Sequence, residues 1–581
     1  MKNRILTLIG LFFCCQLFLI NNVSDNIVSA QELKDWEIVS PLDFETTLSG
    51  SFAEMRKNHF HGGLDLRTNG EENKPVHAID DGYVAKITIS RTSYGKCAFI
   101  NHPNGYTSVY GHLNGFVPAL DSILKAKQYA EHSFETTLEL DSTQFPVKKG
   151  QIFAKSGNTG ASGGPHVHFE IRKTSDGTMH NPLELKNRPY GFSDDKAPRI
   201  FAVKIYGLDN QGVVNGESQK SFNVIVNKDK SRKLQAVNGI SVWGKIGFAV
   251  KANDYMSATA FKYSPRHLRV YADGKLISDI KIDSFLYKDI RACNSFMDYA
   301  QWSKNREFYM KSFKDDNSPL IFLKDQPYGT LTINEERDYK ITYSVEDDFG
   351  NKDNVSFVIT GKKADISSSA KDSSLFVKCG ESVFFDKGSF AMKFEKNSLY
   401  EDLEHNFKKD TSVHNFFSAV YSIGDATVPL HTFCSVSIKV DNDTLKDKSK
   451  YYIAKLSNHN IASGSAGGQY VDGFIVGKTN TFGKFAVNKD VTAPVIAPVH
   501  TNKLRSLPYL RLKIYDTQSG IDTYDAYIDG VWVMFEYDAK TQQITYWLDK
   551  KQVQELKNHT FKLVVKDHCG NVKEFTKQIY W

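Results

Sequence analysis

Cysteine is scarce, with 7 in 581 residues, and two of these, Cys14 and Cys15, fall in an apolar N-terminal run. The other five (Cys97, Cys293, Cys379, Cys434 and Cys569) are far apart and odd in number. This excludes a dense disulfide framework and leaves room for one or two long-range bridges. No cysteine sits in a metal-ligand pair. A strong charge of one sign is also missing: the net charge is +6, from 73 basic and 67 acidic residues. So mild a balance gives no argument for a nucleic-acid partner. Beyond the N-terminus no stretch is apolar enough to span a membrane. The glycine-rich segment 157–164 lacks the Lys-Ser/Thr ending of a phosphate-binding loop. Close approach of backbone to a substrate groove explains its glycines better.

The chain is too long for one domain; its length suggests about three to five. Aromatic residues make up 13% of it, with 39 Phe and 28 Tyr, which favours strands. Glycine and Asn/Asp turns recur throughout, so a mainly β protein is expected. Lys2 and Arg4, the apolar run 5–20 and the small residues Val28-Ser29-Ala30 read as a signal peptide over 1–30. An uncleaved anchor is the alternative, and Phe12 and Phe13 argue against lipidation. The expected location is outside the cytoplasm, in the periplasm or cell envelope, free or membrane-associated.

Residues 36–190 are dense in glycine and histidine. Within them 82–89 alternates as a strand, and 98–110 reads as a hairpin around Pro103-Asn104-Gly105. A further strand is expected over 151–156. From 118 to about 132 the apolar spacing of Leu120, Ile123 and Leu124 predicts a short helix, either shaping a groove or forming a surface excursion. After 190 the pattern turns to β modules, expected at 196–362, 373–490 and 491–581, with 363–374 as a linker. Two of them open alike, on Asp195-Lys196-Ala197-Pro198 and Asp490-Val491-Thr492-Ala493-Pro494. Two also close alike, on Val-x-Asp-x-x-Gly-Asn ending at Asn351 and at Asn571. The last module resembles a bacterial immunoglobulin-like domain, a likeness that says little about function.

Three short motifs carry the chemistry: His61-Gly-Gly-Leu-Asp65, Tyr110-Gly-His112-Leu113 and Gly164-Pro-His166-Val-His168-Phe-Glu170. Residues two apart in a strand share a face, so His166 and His168 project together while Val167 and Phe169 face the core. Gly62 and Gly63 favour a tight extended turn that can bring His61 and Asp65 to one metal. Imidazole and carboxylate donors suit zinc, and a catalytic zinc site keeps one position open for water. His59 lies two before His61 and could share its face, as groove wall or as support for a ligand. Glu170 shares strand parity with His168 and could orient it; a surface salt bridge is the plainer role. His77, His102 and His180 have no matching partner spacing and read as structural.

Together and in this order, these motifs resemble the signature of the lysostaphin/LytM-type zinc endopeptidases, metallopeptidase family 23, over residues 52–183. The resemblance implies a compact antiparallel β domain with a groove across the metal and one zinc per chain. His61, Asp65 and His168 would bind it, and His112 and His166 would be the catalytic pair beside the reacting water. His59, Tyr110 and Glu170 would be supporting positions. The implied substrate and partner is peptidoglycan, cut in its stem peptide or cross-link. A cell-envelope protein or glycan is the partner class for the C-terminal modules. Two departures stand out: a long insertion between His112 and His166, and no SH3-like wall-binding module. A different reading is a metal-free relative that binds the wall or activates amidases; the complete ligand set argues against it. A third makes the C-terminal modules the main function, as adhesion or scaffold.

Overall fold

A computed structural model describes residues 33–229, 231–324, 329–365, 375–501 and 508–581. The signal peptide expected over 1–30 and most of the expected linker lie outside the described residues. The mainly β expectation is met: among the described residues the sheets are antiparallel but for one short parallel pairing, with few helices between them.

The N-terminal domain is built on a sheet that includes β1 (Leu48–Gly50), β2 (Leu64–Arg67), β3 (Gly82–Ile89), β4 (Lys96–Asn101), β5 (Tyr106–Leu113), β6 (Thr136–Glu139) and β7 (His166–Lys173). These lie in the order β1-β2-β7-β5-β4-β3-β6. The central strand, β7, alternates without a break. Val167, Phe169 and Ile171 fill the core, while His166, His168, Glu170 and Arg172 line the other face. Both faces are buried. In register, His168 lies opposite Asp65 of β2 and Gly111 of β5.

The inserted helix, α1, spans Pro118–Glu131, with proline in its first turn and a left-handed C-cap at His132. Leu120, Leu124 and Gln128 form its buried stripe, and Ile123 is exposed. The helix is not a free surface excursion. Trp532 of the last module stacks on His132 at 5.1 Å and meets Tyr129 edge-on at 5.4 Å. Beside it Lys96 pairs with Glu536 at 2.9 Å, and Lys540 donates to the Asn158 carbonyl.

The segment after 190 does not fold apart from the N-terminal domain. The strand Thr178–His180 pairs with β7 on one side and with Ser284–Leu286 on the other, so one sheet crosses the boundary. One hydrophobic core runs through both parts. Phe285 packs on Phe52 at 4.9 Å and on Phe60 at 5.1 Å, and Phe296 joins Phe60 at 6.0 Å. Apart from Ser284–Leu286, the strands of this segment are joined by hydrogen bonds into one 10-stranded network, in which Ser241–Asn253 meets Lys352–Gly361 over only two residue pairs. The following segments are sandwiches of two 5-stranded and two 4-stranded sheets, each with its own core. The five described cysteines, which left room for one or two long-range bridges, are all unpaired.

Candidate active site

Three side chains from two neighbouring strands and the turn before them converge on one point. His61 Nε2, Asp65 Oδ1 and His168 Nδ1 are each 2.9 Å from the other two. His166 Nε2 approaches the same carboxylate oxygen at 3.3 Å. The turn can come this close only because of its glycines: a Cβ on Gly63 would stand 2.0 Å from the Phe169 carbonyl oxygen.

The hydrogen bonds around the rings set which nitrogen is free. A carbonyl oxygen only accepts, so the 2.7 Å contact of His61 Nδ1 with Ser51 O places the proton on Nδ1. Its Nε2 lone pair then points at the cluster. His168 is held the opposite way, with Nε2 at 2.7 Å from Glu170 Oε1, which leaves Nδ1 facing inward. With His168 neutral, two imidazole lone pairs and a carboxylate oxygen would point at one another, an arrangement that a proton on His168 or a metal cation between the three relieves. The donor set suits zinc, whose tetrahedral ligands stand about 3.4 Å apart. The trio needs to open by only a few tenths of an ångström.

Electrostatics agree with this picture. Burial pushes His61 down, overcoming the pull of Asp65. Burial also opposes a charge on His168, but Asp65 and Glu170 outweigh it and raise His168 to about 9. The cluster thus keeps one proton, on His168, where a metal would sit. Burial opposes ionisation of Asp65 too, yet His61, His166 and His168 hold it well below the usual carboxylate range. Its second oxygen takes Arg56 Nη2 at 2.6 Å.

His112 and His166 stand next to the trio with ring centroids 4.7 Å apart. Each gives its Nδ1 proton to a backbone carbonyl at 2.8 Å, His112 to Thr159 and His166 to Gly164. When neutral, each therefore keeps its lone pair on Nε2, and that of His166 stands 3.3 Å from Asp65 Oδ1. Burial, and then His166 and His168, push His112 down to about 3. The 157–164 loop holds both rings, and it is itself pinned: a Cβ on Gly157 would meet Asn114 N at 2.5 Å. Its first glycine thus serves approach to protein backbone, not only to a substrate.

The supporting positions divide. Glu170 is not on the surface. It is fully buried, accepting from His168, from Tyr94 Oη at 2.7 Å and from Arg172 Nε at 2.6 Å. Burial raises it, but Arg172 and His168 outweigh that and hold it at about 2. Tyr110 is away from the trio. Its ring lies in the core against Phe153 and Phe169, and its hydroxyl bonds Ile79 N and Ser108. Alternation would put Tyr110 and His112 on one face. His112, however, has φ 59°, and the register with β4 shifts there, which turns its ring to the site. His59 is exposed and bonds the Lys57 carbonyl, outside the cluster. His102 is tied to Asp81 O and Ser108, as a structural histidine is. Arg56, Tyr94 and Arg172 were not singled out from the sequence. Only Arg172 left a signal there, the strand parity it shares with His168.

The family model for peptidase family M23 matches residues 59–132, which carry His61, Asp65 and His112. The N-terminal domain is an M23 metallopeptidase domain. A Zu5-like domain matches residues 374–490, the first of the two sandwiches. An uncharacterized metalloprotease of Haemophilus influenzae is 31% identical over 152 residues, 25% of this chain and 26% of that one. The DD-carboxypeptidase/endopeptidase Mpg of Neisseria meningitidis is 28% identical over 125 residues, 22% of each chain. The chain thus spans about a quarter of the length of the curated relatives it matches. Among solved structures, a zinc-containing peptidase from Vibrio cholerae is 25% identical, covering 24% of this chain and 37% of that one, with a TM-score of 0.18. The lysostaphin catalytic domain from Staphylococcus simulans is 21% identical, covering 24% and 90%, with a TM-score of 0.18. Outside the M23 domain, the recurring Val-x-Asp-x-x-Gly-Asn turns are built alike: Asp347 and Asp567 each accept from the asparagine four residues on.

Proposed function

We propose that this chain is an exported zinc endopeptidase that hydrolyses peptide bonds in the stem peptides or cross-links of peptidoglycan, for remodelling of the cell wall. The observation that carries this reading is the convergence of His61 Nε2, Asp65 Oδ1 and His168 Nδ1, with two further imidazoles beside them. Three protein ligands leave a coordination position for water and substrate, which separates a catalytic site from a structural one. Zinc, when bound, supplies a Lewis acid that polarises a peptide carbonyl and brings the pKa of a coordinated water towards ~7.

The chain's own groups do the rest. Ser51 O and Glu170 fix the two ligand tautomers. Arg56 donates to Asp65 Oδ2 and leaves Oδ1 to the cluster. His112 and His166, with Nδ1 anchored, offer Nε2 to take a proton from the attacking water. The charged imidazole can then stabilise the developing oxyanion or protonate the leaving amine. Either ring fits either role.

The peptidoglycan substrate is supported by the Neisseria relative, named as a DD-carboxypeptidase/endopeptidase. Export is supported by the basic, apolar and small-residue pattern of residues 1–30. The C-terminal modules would meet a cell-envelope protein or glycan. The alternative, a metal-free binding or amidase-activating protein, is disfavoured by the intact donor set. Digestion of defined cross-linked muropeptides, read by mass spectrometry, tests the proposal. Cleavage is expected from the wild type and not from His61→Ala or His166→Ala. No cleavage of any muropeptide by zinc-loaded wild type would favour the alternative.

A further inference from the structure

The connection leaving the M23 domain carries Asp194. It meets Asp254, which follows the strand Ser241–Asn253, and Asp347, which follows the strand Asp338–Glu346. One carboxylate oxygen from each lies within 4.8 Å of the others. Asp254 and Asp347 are only 7% and 5% exposed. Part of the cluster is satisfied. Asp347 accepts from Phe349 N, Asn351 N and Asn351 Nδ2, while Asp194 Oδ1 accepts from Lys196 N, Ser257 N and Ser257 Oγ. Two oxygens are not: Asp254 Oδ1 and Asp194 Oδ2 are buried without any hydrogen-bond partner. The nearby Arg266 pairs with Asp348 instead, at 3.0 Å. Three neighbouring carboxylates, two of which bury an oxygen without a partner, are costly unless a cation or a proton compensates them.

We propose that Asp194, Asp254 and Asp347 bind a calcium ion at the joint between the M23 domain and the segment that follows it. The donors are all oxygen, which selects a hard cation over zinc. Their spread fits the roughly 5 Å between opposite ligands of a calcium shell, which takes further oxygens from water or backbone. The competing outcome is a proton: burial, and then Asp347, push Asp254 up to about 8. The place gives the ion a purpose. Asp348, next to Asp347, accepts from Asn181 Nδ2 at 2.7 Å and from Arg188 through its carbonyl at 3.0 Å, both in the M23 domain. A filled site would lock the connection onto the catalytic domain.

The chain holds its own comparison. Asp490, Asp516 and Asp567 repeat the constellation in the last module. Ser519 stands three after Asp516 as Ser257 stands three after Asp254, and Asn571 bridges Asp567 and the Asp490 carbonyl as Asn351 bridges Asp347 and the Asp194 carbonyl. There, among the described residues, no carboxylate oxygen is orphaned, so no ion is assigned.

The test uses the full chain, zinc-loaded and shown calcium-free by elemental analysis. Calcium chloride alone is titrated calorimetrically, and thermal unfolding is followed in parallel. Saturable binding and a calcium-dependent rise in Tm are expected. Asp254→Asn should abolish both, while without calcium it melts no lower than the wild type, because it replaces a buried carboxyl that has an unpartnered oxygen. Asp194→Asn, at a partly exposed position, should weaken binding at least tenfold, and Asp516→Asn should leave it unchanged. Absence of saturable binding to wild type at millimolar calcium, or undiminished binding by Asp254→Asn, overturns the proposal.

Discussion

Replacing Glu170 by glutamine keeps the shape of a fully buried side chain and removes its charge. Two consequences follow, and they can be separated. First, His168 loses the acceptor that holds its proton on Nε2 and turns Nδ1 inward. An amide can present an N–H as readily as an oxygen, so the ligand tautomer is no longer specified. Loss of such a partner weakens metal binding by about 10- to 100-fold, or about 1.4 to 2.8 kcal/mol. Second, Arg172 is left with a buried guanidinium whose carboxylate partner, at 2.6 Å, is gone. Breaking a buried pair from one side costs about 3 to 5 kcal/mol. The double variant Glu170→Gln, Arg172→Met removes both charges. It should regain most of the stability and none of the zinc affinity. Urea unfolding of the zinc-free proteins reads the first quantity, and competition with a chromophoric chelator reads the second. Wild-type zinc affinity in Glu170→Gln would refute the reasoning, since Glu170 would then be an ion-pair partner of Arg172 and nothing more.

Zinc affinity should rise with pH, by about tenfold per unit for the one proton displaced, and level off near pH 9. The sign follows from His168, whose proton is held up to about 9 in the metal-free cluster and must leave as the ion enters; a pH-independent affinity between 6 and 8.5 would contradict it. Phe285→Ala lies outside the 36–190 segment, yet it should destabilise the M23 domain by about 3 to 5 kcal/mol, because its ring packs on Phe52 and Phe60. For the same reason a truncation after residue 195 should be insoluble or markedly less stable in circular dichroism melts. His112→Ala and His166→Ala should each retain one zinc by elemental analysis while losing muropeptide cleavage, whereas His61→Ala should lose both.

What the sequence carries of the site is its short-range part. His166 and His168 are two apart, so the pleat alone aligns them, and the same parity extends to Glu170 and Arg172. Glycines at 62 and 63 mark where a turn must press on β7. Longer-range facts left no such trace. Parity pairs Tyr110 with His112, and only the positive φ of His112 separates a core tyrosine from a site histidine. Arg56 and Tyr94 reach the site across folds of the chain, with no spacing to announce them. The mainly β character was legible from aromatic and turn content. The shared core was not: Phe60 and Phe285 read as ordinary apolar residues until the strand Ser284–Leu286 is seen to extend the catalytic sheet. The helix 118–131 was legible as a helix. Its partner, Trp532, lies some four hundred residues on in a module with its own separate core.

The central claim is that a metal held by His61, Asp65 and His168 drives hydrolysis at this site. Its most direct test is to strip the purified chain of zinc, verify the loss by elemental analysis, and restore the ion in steps while following cleavage of a defined cross-linked muropeptide. Activity should be absent without zinc and should rise in proportion to occupancy, reaching its full value at one ion per chain. Full activity in a verified zinc-free sample would contradict the account.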